Sequence, residues 1–138
     1  MEELEAAKGI CVDTDVLIDF LKKKEPGSRA YEKWRNKRTI AITSITAFEL
    51  LFGASHSENM QKRYEEARSL IEQQHVLPFD KSAANKASKI GIQLQRLGKG
   101  IEIRDLFNAS ICVSQNIPML TRNKNHYERV AELELLEI

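Results

Sequence analysis

The sequence is short of the residues that staple, break or span. Two cysteines in 138 residues, Cys11 and Cys112, cannot build a disulfide framework. Each lies in an apolar stretch, so both read as reduced core residues of a cytosolic protein. Three prolines and six glycines leave no Pro/Gly-rich linker, and there is no internal repeat or low-complexity segment. No apolar run approaches the roughly 20 residues needed to cross a bilayer, so no membrane association is expected. The opening residues 1–8 are acidic and lack the basic-then-apolar order of a signal peptide. They read as a flexible leader before a single domain over 9–138. A charge excess is missing too: 21 Lys and Arg face 20 Asp and Glu, a net of +1. Bulk electrostatics therefore do not mark a nucleic-acid binder.

What is present is an ordinary globular balance, 42% hydrophobic and 30% charged. Short apolar runs alternate with helical periodicity. Ile10–Val12 predicts a buried strand feeding a helix through Val16–Leu21. After the Pro26-Gly27 break, Ser28 is positioned to cap a helix with Ala30, Tyr31 and Trp34 on one side. Ile40–Ile42 predicts a second strand, Ser44 a cap, and a helix that stops at Gly53. A charged helix over 59–74 and an edge strand over 76–79 follow. Asp80 caps a long helix closed by Gly98; Asp105 opens another through Gln115. Strands over 117–120 and 133–138 flank a short helix to Val130. This alternation predicts a three-layer α/β/α sandwich around a mostly parallel sheet of about four or five strands.

In such sheets the functional crevice lies at the carboxyl ends of the strands. Asp13 follows the first strand, Glu49 sits in the helix after the second, Asp105 opens the helix before the fourth, and Asn123 follows the fourth. The three carboxylates, gathered at one crevice, would repel one another without cations. Oxygen-only donors select hard ions such as Mg²⁺ or Mn²⁺, which activate water and neutralise phosphate charge. Each residue also has a plain alternative. Asp13, Asp105 and Asn123 are good helix N-caps, and Glu49 suits a half-exposed helix edge.

The residues then resemble a known family. Val12-Asp-Thr-Asp-Val-Leu-Ile-Asp19 is similar to the opening motif of PIN domains, an apolar run followed by Asp-Thr-Asn. Ile42–Ala54 resembles the second motif, a Ser or Thr a few residues before an essential Glu. Ile103-Arg-Asp-Leu-Phe-Asn-Ala-Ser110 resembles the third, and Pro118–Val130 the fourth, Thr-x-Asn/Asp followed by an aromatic. The match runs in order from residue 10 to the C-terminus and is nearest to VapC-type toxins. The resemblance implies a metal-dependent ribonuclease in which Asp13, Glu49, Asp105 and Asn123 hold Mg²⁺ or Mn²⁺. Thr121 and Ser44 match supporting positions, and Asp15 stands where Asn is usual. It also implies products with 5′-phosphate and 3′-hydroxyl ends, a homodimer, and a VapB-like antitoxin partner. The neutral Asn123 weakens a second metal position, and Asn108 replaces a residue that is usually apolar.

Arg96, Lys99, Arg104 and Arg122 flank these motifs and are candidates for holding RNA. Residues 22–38 carry eight Lys or Arg against Glu25 and Glu32, which suits either RNA phosphates or a solvated helix face. His56, His75 and His126 lack zinc-ligand spacing; only His126 falls close to a site motif. Two other functions compete. Asp13-Thr-Asp15 after a strand also resembles haloacid-dehalogenase-type phosphatases, although Glu49 then has no role. A catalytically weak, PIN-like regulatory scaffold that binds nucleic acid is the other.

Overall fold

The computed structural model describes residues 9–138; the expected leader, 1–8, lies outside the described residues. Five strands form one sheet: β1 (Gly9–Val12), β2 (Thr39–Thr43), β3 (His75–Leu77), β4 (Met119–Leu120) and β5 (Leu135–Leu136). Their order is β3-β2-β1-β4-β5 and every neighbouring pair is parallel. Seven helices connect them: α1 (Thr14–Lys22), α2 (Gly27–Arg35), α3 (Ser44–Ala54), α4 (Met60–Glu72), α5 (Lys81–Arg96), α6 (Ile103–Gln115) and α7 (Lys124–Tyr127).

The strand alternation sorts the core into two layers. Ile10, Val12, Ile40, Ile42 and Leu120 face one side, packed with Val16 and Leu17 of α1, Tyr31 of α2, Leu50 of α3 and Leu70 of α4. Cys11, Ala41 and Met119 face the other, packed with Ile90 and Leu94 of α5 and Ile111 and Cys112 of α6. Both thiols are buried and unpaired. A sheet buried on both faces accounts for strands that read as continuous apolar runs.

Order reverses at β1. The chain winds outward to β2 and β3, then returns to place β4 on the other side of β1. The crevice outside a parallel sheet opens at such a switch point, between the carboxyl ends of β1 and β4. Asp13 and Thr121 are the residues that directly follow those two ends.

Local details differ from the sequence expectations for physical reasons. Thr43, not Ser44, caps α3, its hydroxyl accepting the Thr46 N–H at 2.9 Å. Ser44 is already helical and its hydroxyl accepts the Phe79 N–H at 3.2 Å. The helix also continues through Gly53 to Ala54, because Gly53 does not take the left-handed conformation of a C-terminal cap. Ser28 does not cap α2. The buried Asp19 does so from α1, its Oδ2 accepting the Gly27 N–H at 3.0 Å. A Cβ at Gly27 would lie 2.5 Å from that side chain, so the approach requires glycine. Gly98, with φ +67°, closes α5 as expected. Pro78 ends β3, the edge strand, instead of extending it.

Candidate active site

Three elements deliver three carboxylates to the switch point. Asp13 directly follows β1 and caps α1, its Oδ1 accepting the Thr14 N–H at 2.8 Å. Glu49 projects from α3. Asp105 lies in the first turn of α6, which begins at Ile103, two residues earlier than the sequence suggested. A carboxylate is favoured at both helix N-termini by the local dipole. The side chain of Asp13 is 3% exposed and that of Asp105 5%, whereas Glu49 keeps 24%.

One guanidinium joins all three. Arg104 bonds to Glu49 through Nε and to Asp105 through Nη1, and its Nη2 lies 3.4 Å from Asp13 Oδ1. Partial burial disfavours the charge of Arg104, but the Glu49 bond and the field of Asp13 outweigh it and hold its pKa above the ordinary range. This single cation is not enough for Asp13. Burial pushes the Asp13 pKa above the usual carboxylate range, despite the downward pull of Arg104, Thr121 and the Thr14 N–H.

Hydroxyls fix the carboxylates in place. The Thr121 hydroxyl donates to Asp13 Oδ2 at 2.8 Å and accepts the Asn123 N–H at 3.0 Å. The Thr14 hydroxyl donates to Glu49 Oε1 at 2.7 Å and lies 3.0 Å from the Thr46 hydroxyl. A buried relay runs behind Asp13. Thr43 donates to Asn108 Oδ1 at 2.7 Å, Asn108 Nδ2 lies 3.4 Å from the Tyr127 hydroxyl, and that hydroxyl lies 3.4 Å from Asp13 Oδ1. Burial, then the charge of Asp13, raises the Tyr127 pKa far enough to keep this phenol a donor. Sequence reasoning missed Thr14, Thr43, Thr46 and Tyr127 as site residues. The available signal was Asn108, a polar residue on a helix face otherwise filled by Ala109, Ile111 and Cys112.

The remaining candidates stand further out. Asn123 is exposed at the start of α7, and its side chain makes no capping bond. Arg122 is exposed, with its Nη1 3.2 Å from Asp19 Oδ1. Arg96 and Lys99 are exposed at the end of α5. Ser44 is engaged with the β3–α5 junction. His126 brings Nδ1 to 3.5 Å from Asp105 Oδ2.

The donor set suits a hard divalent cation: oxygen donors only, four carboxylates counting Asp15, and one guanidinium to balance them. Among the described residues, no three His, Cys, Asp or Glu side chains are already drawn around one ion position. Arg104 lies between Asp13, Glu49 and Asp105 and is the cation they share. The convergence of Glu49 with Asp13 and Asp105 also gives Glu49 the role that the phosphatase reading lacked.

The family model described as PIN domain matches residues 10–133. The chain belongs to the PIN domain family. A PIN relative from Methanocaldococcus jannaschii, Ribonuclease VapC1, is 34% identical over 130 residues, covering 91% of this chain and 84% of its own. The tRNA(fMet)-specific endonuclease VapC of Shigella flexneri is 28% identical over 122 residues, covering 88% and 92%. A solved DNA-bound VapBC from Salmonella typhimurium matches with a TM-score of 0.84 at 26% identity, covering 94% of this chain and 97% of that one.

One departure from the usual PIN opening has a measurable consequence. Burial, and then the charge of Asp13, raises the Asp15 pKa from 3.8 to about 6, against the downward pull of the Arg122 N–H. Its Oδ1 is buried without a hydrogen-bond partner. Between about pH 4 and 6 the folded chain holds a proton that the unfolded chain has released, so stability falls as pH rises through that window. Asp15→Asn is expected to stabilise the metal-free protein at pH 7 by about 1–2 kcal/mol, discounted for solvent screening. That gain fades towards pH 4. Thermal unfolding in EDTA at the two pH values checks this; an equal effect at both would contradict it.

Proposed function

We propose that this chain is a divalent-metal-dependent endoribonuclease, the toxin of a VapBC-type toxin–antitoxin pair. The observation that carries the reading is the meeting of Asp13, Glu49 and Asp105, from three elements, on one cation at the sheet's switch point. VapC relatives named as ribonucleases over most of the chain support it. Structural neighbours solved as VapBC complexes support an antitoxin partner. No helix among the described residues is long and apolar enough to cross a membrane.

Asp13, Glu49 and Asp105 would hold Mg²⁺ or Mn²⁺, with Asn123 at the rim. Such an ion, when bound, lowers the pKa of water and offsets charge on a phosphodiester. The chain's own residues do the rest. Thr121 and Thr14 pin Asp13 and Glu49, so little reorganisation remains when substrate arrives. Arg104 is placed to exchange its carboxylate partners for an RNA phosphate, with bidentate geometry available. The exposed Arg96, Lys99 and Arg122 are the further cations assigned to RNA in this reading. The neutral Asn123 favours a single tightly held ion. A homodimer completes the proposed assembly.

Incubation of the purified chain with defined RNAs tests the activity. Cleavage is expected with Mn²⁺ or Mg²⁺, leaving 5′-phosphate and 3′-hydroxyl ends, and none in EDTA. Full cleavage in EDTA, or 2′,3′-cyclic phosphate ends, would contradict it.

A further inference from the structure

Beside the carboxylates stands a nitrogen donor. His126 brings Nδ1 to 3.5 Å from Asp105 Oδ2, whereas Arg104 bonds the other oxygen, Oδ1. An N–H···O hydrogen bond spans about 2.7–3.2 Å, so this pair is too far apart for a good one. Two ligands of one ion, each about 2.1 Å from it at an angle of about 90–110°, stand about 3.0–3.5 Å apart. His126 and Asp105 therefore have the spacing of two donors to a shared ion. The local fold holds the imidazole there. His126 lies in α7, and the next residue, Tyr127, is fully buried with its hydroxyl 3.4 Å from Asp13 Oδ1. The His126 N–H donates to the Asn123 carbonyl at 3.0 Å, which ties the same turn to the fourth motif. Tyr127 thus anchors the turn and keeps an imidazole that is 55% exposed against the buried Asp105. The other two histidines are placed differently. His56 follows α3 with its Nδ1 2.8 Å from the Phe52 carbonyl oxygen, and His75 opens the edge strand β3.

We propose that His126 is a nitrogen ligand of the divalent ion held by Asp105, and that it turns the centre's preference from Mg²⁺ towards first-row transition ions. A neutral imidazole coordinates through one ring nitrogen. Carboxylate oxygens suit Mg²⁺ and Mn²⁺ alike. An imidazole adds affinity for transition ions, rising from Mn²⁺ through Co²⁺ to Ni²⁺, and adds little for Mg²⁺. One histidine at the rim of an acidic crevice is therefore enough to separate ions that the carboxylates alone would treat similarly. This inference rests on the reading of the carboxylates as a metal centre.

The test uses the full chain with metal ions alone as probes and no RNA. Pulsed electron paramagnetic resonance reads nitrogen coordination directly, because a ligating imidazole imposes ¹⁴N modulation on the Mn²⁺ spin echo. The wild type with bound Mn²⁺ is expected to show that modulation, and His126→Ala is expected to lose it while still binding the ion. Chain prepared with ¹⁵N-labelled histidine is expected to replace the ¹⁴N pattern by that of ¹⁵N, a result that needs no substitution. In competition titrations of His126→Ala, Mn²⁺ affinity is expected to fall about tenfold and Ni²⁺ affinity further, with Mg²⁺ affinity held within about twofold. Absence of ¹⁴N modulation in the wild type carrying bound Mn²⁺ would reduce the His126–Asp105 contact to an ion pair and overturn this inference alone. A ¹⁴N signal that persists in His126→Ala would place the nitrogen on another residue and overturn it too. An equal fall for Mg²⁺ and Mn²⁺ would contradict the proposed preference. Failure of the wild type to bind Mn²⁺ at all would overturn the metal-centre reading as well.

Discussion

Arg104→Gln is expected to destabilise the metal-free protein and, at the same time, to tighten Mn²⁺ binding. The two signs follow from one geometry. The guanidinium is the cation shared by Asp13, Glu49 and Asp105, and two of those carboxylates are almost fully buried. Removing it leaves like charges facing one another at the switch point. Breaking a buried pair typically costs about 3–5 kcal/mol. Arg104 keeps 30% of its surface exposed, so about 2–3 kcal/mol is the appropriate expectation. For a chain of this size that lowers Tm by roughly 6–10 °C in EDTA. A divalent ion, however, no longer has to displace a bound cation. Its affinity is expected to rise about tenfold, an advantage of about 1.4 kcal/mol. Calorimetric Mn²⁺ titration and thermal unfolding with and without the ion separate the two effects. A variant that loses Mn²⁺ affinity would show that Arg104 supports the ion instead of standing in for it.

Asp13→Asn is expected to have the largest effect on activity and a small one on stability. The amide is isosteric but neutral. Both oxygens of Asp13 accept from donors, the Thr14 N–H and the Thr121 hydroxyl, so an amide must turn its NH₂ towards one of them. One lost buried bond costs about 1–3 kcal/mol. Against this, the substitution removes a carboxylate that burial already disfavours. The two largely offset, leaving stability within about 1 kcal/mol. Activity lacks such compensation. A charged donor worth several kcal/mol at a metal centre disappears, and each 1.36 kcal/mol is tenfold in rate, so cleavage should fall about 10³-fold. Rate measurements beside circular dichroism and thermal melts check both halves. A folded variant that cleaves at the wild-type rate would remove Asp13 from the site.

Much of this architecture was legible in the sequence because it is local. Apolar runs such as Ile10–Val12 and Ile40–Ile42, each followed by helical periodicity, define strand-then-helix units without knowledge of their neighbours. Asp13, Glu49 and Asp105 were legible because the family motifs are short and ordered, and their convergence followed from a parallel sheet. What escaped depends on distance along the chain. The Asp19 cap on Gly27 and the Thr14–Glu49 bond join residues whose side chains meet only after packing. The relay from Thr43 through Asn108 to Tyr127 spans three elements, and only the placement of a polar Asn in an apolar stretch hinted at it. Arg104 reads as an RNA contact from its charge and its place beside the motifs; its inward turn onto three carboxylates arises only in the packed fold. Strands at 117–120 and 133–138 shortened to two residues each, because only those pairs find parallel partners.

The near-zero net charge also takes on a different meaning. Acidic residues gather at the crevice, while Lys33, Lys37 and Arg38 crowd the opposite end of the sheet. A near-zero sum over 21 basic and 20 acidic residues does not describe how those charges are placed in space.

The most direct measurement follows Mn²⁺ occupancy and RNA cleavage in a single titration. Electron paramagnetic resonance counts bound Mn²⁺ while the same samples report the initial cleavage rate of a labelled RNA. The rate is expected to rise in proportion to occupancy, and both are expected to be lost in Asp105→Asn with the fold retained. Cleavage at zero occupancy, or undiminished Mn²⁺ binding in Asp105→Asn, would contradict a carboxylate-held ion as the centre of this protein's chemistry.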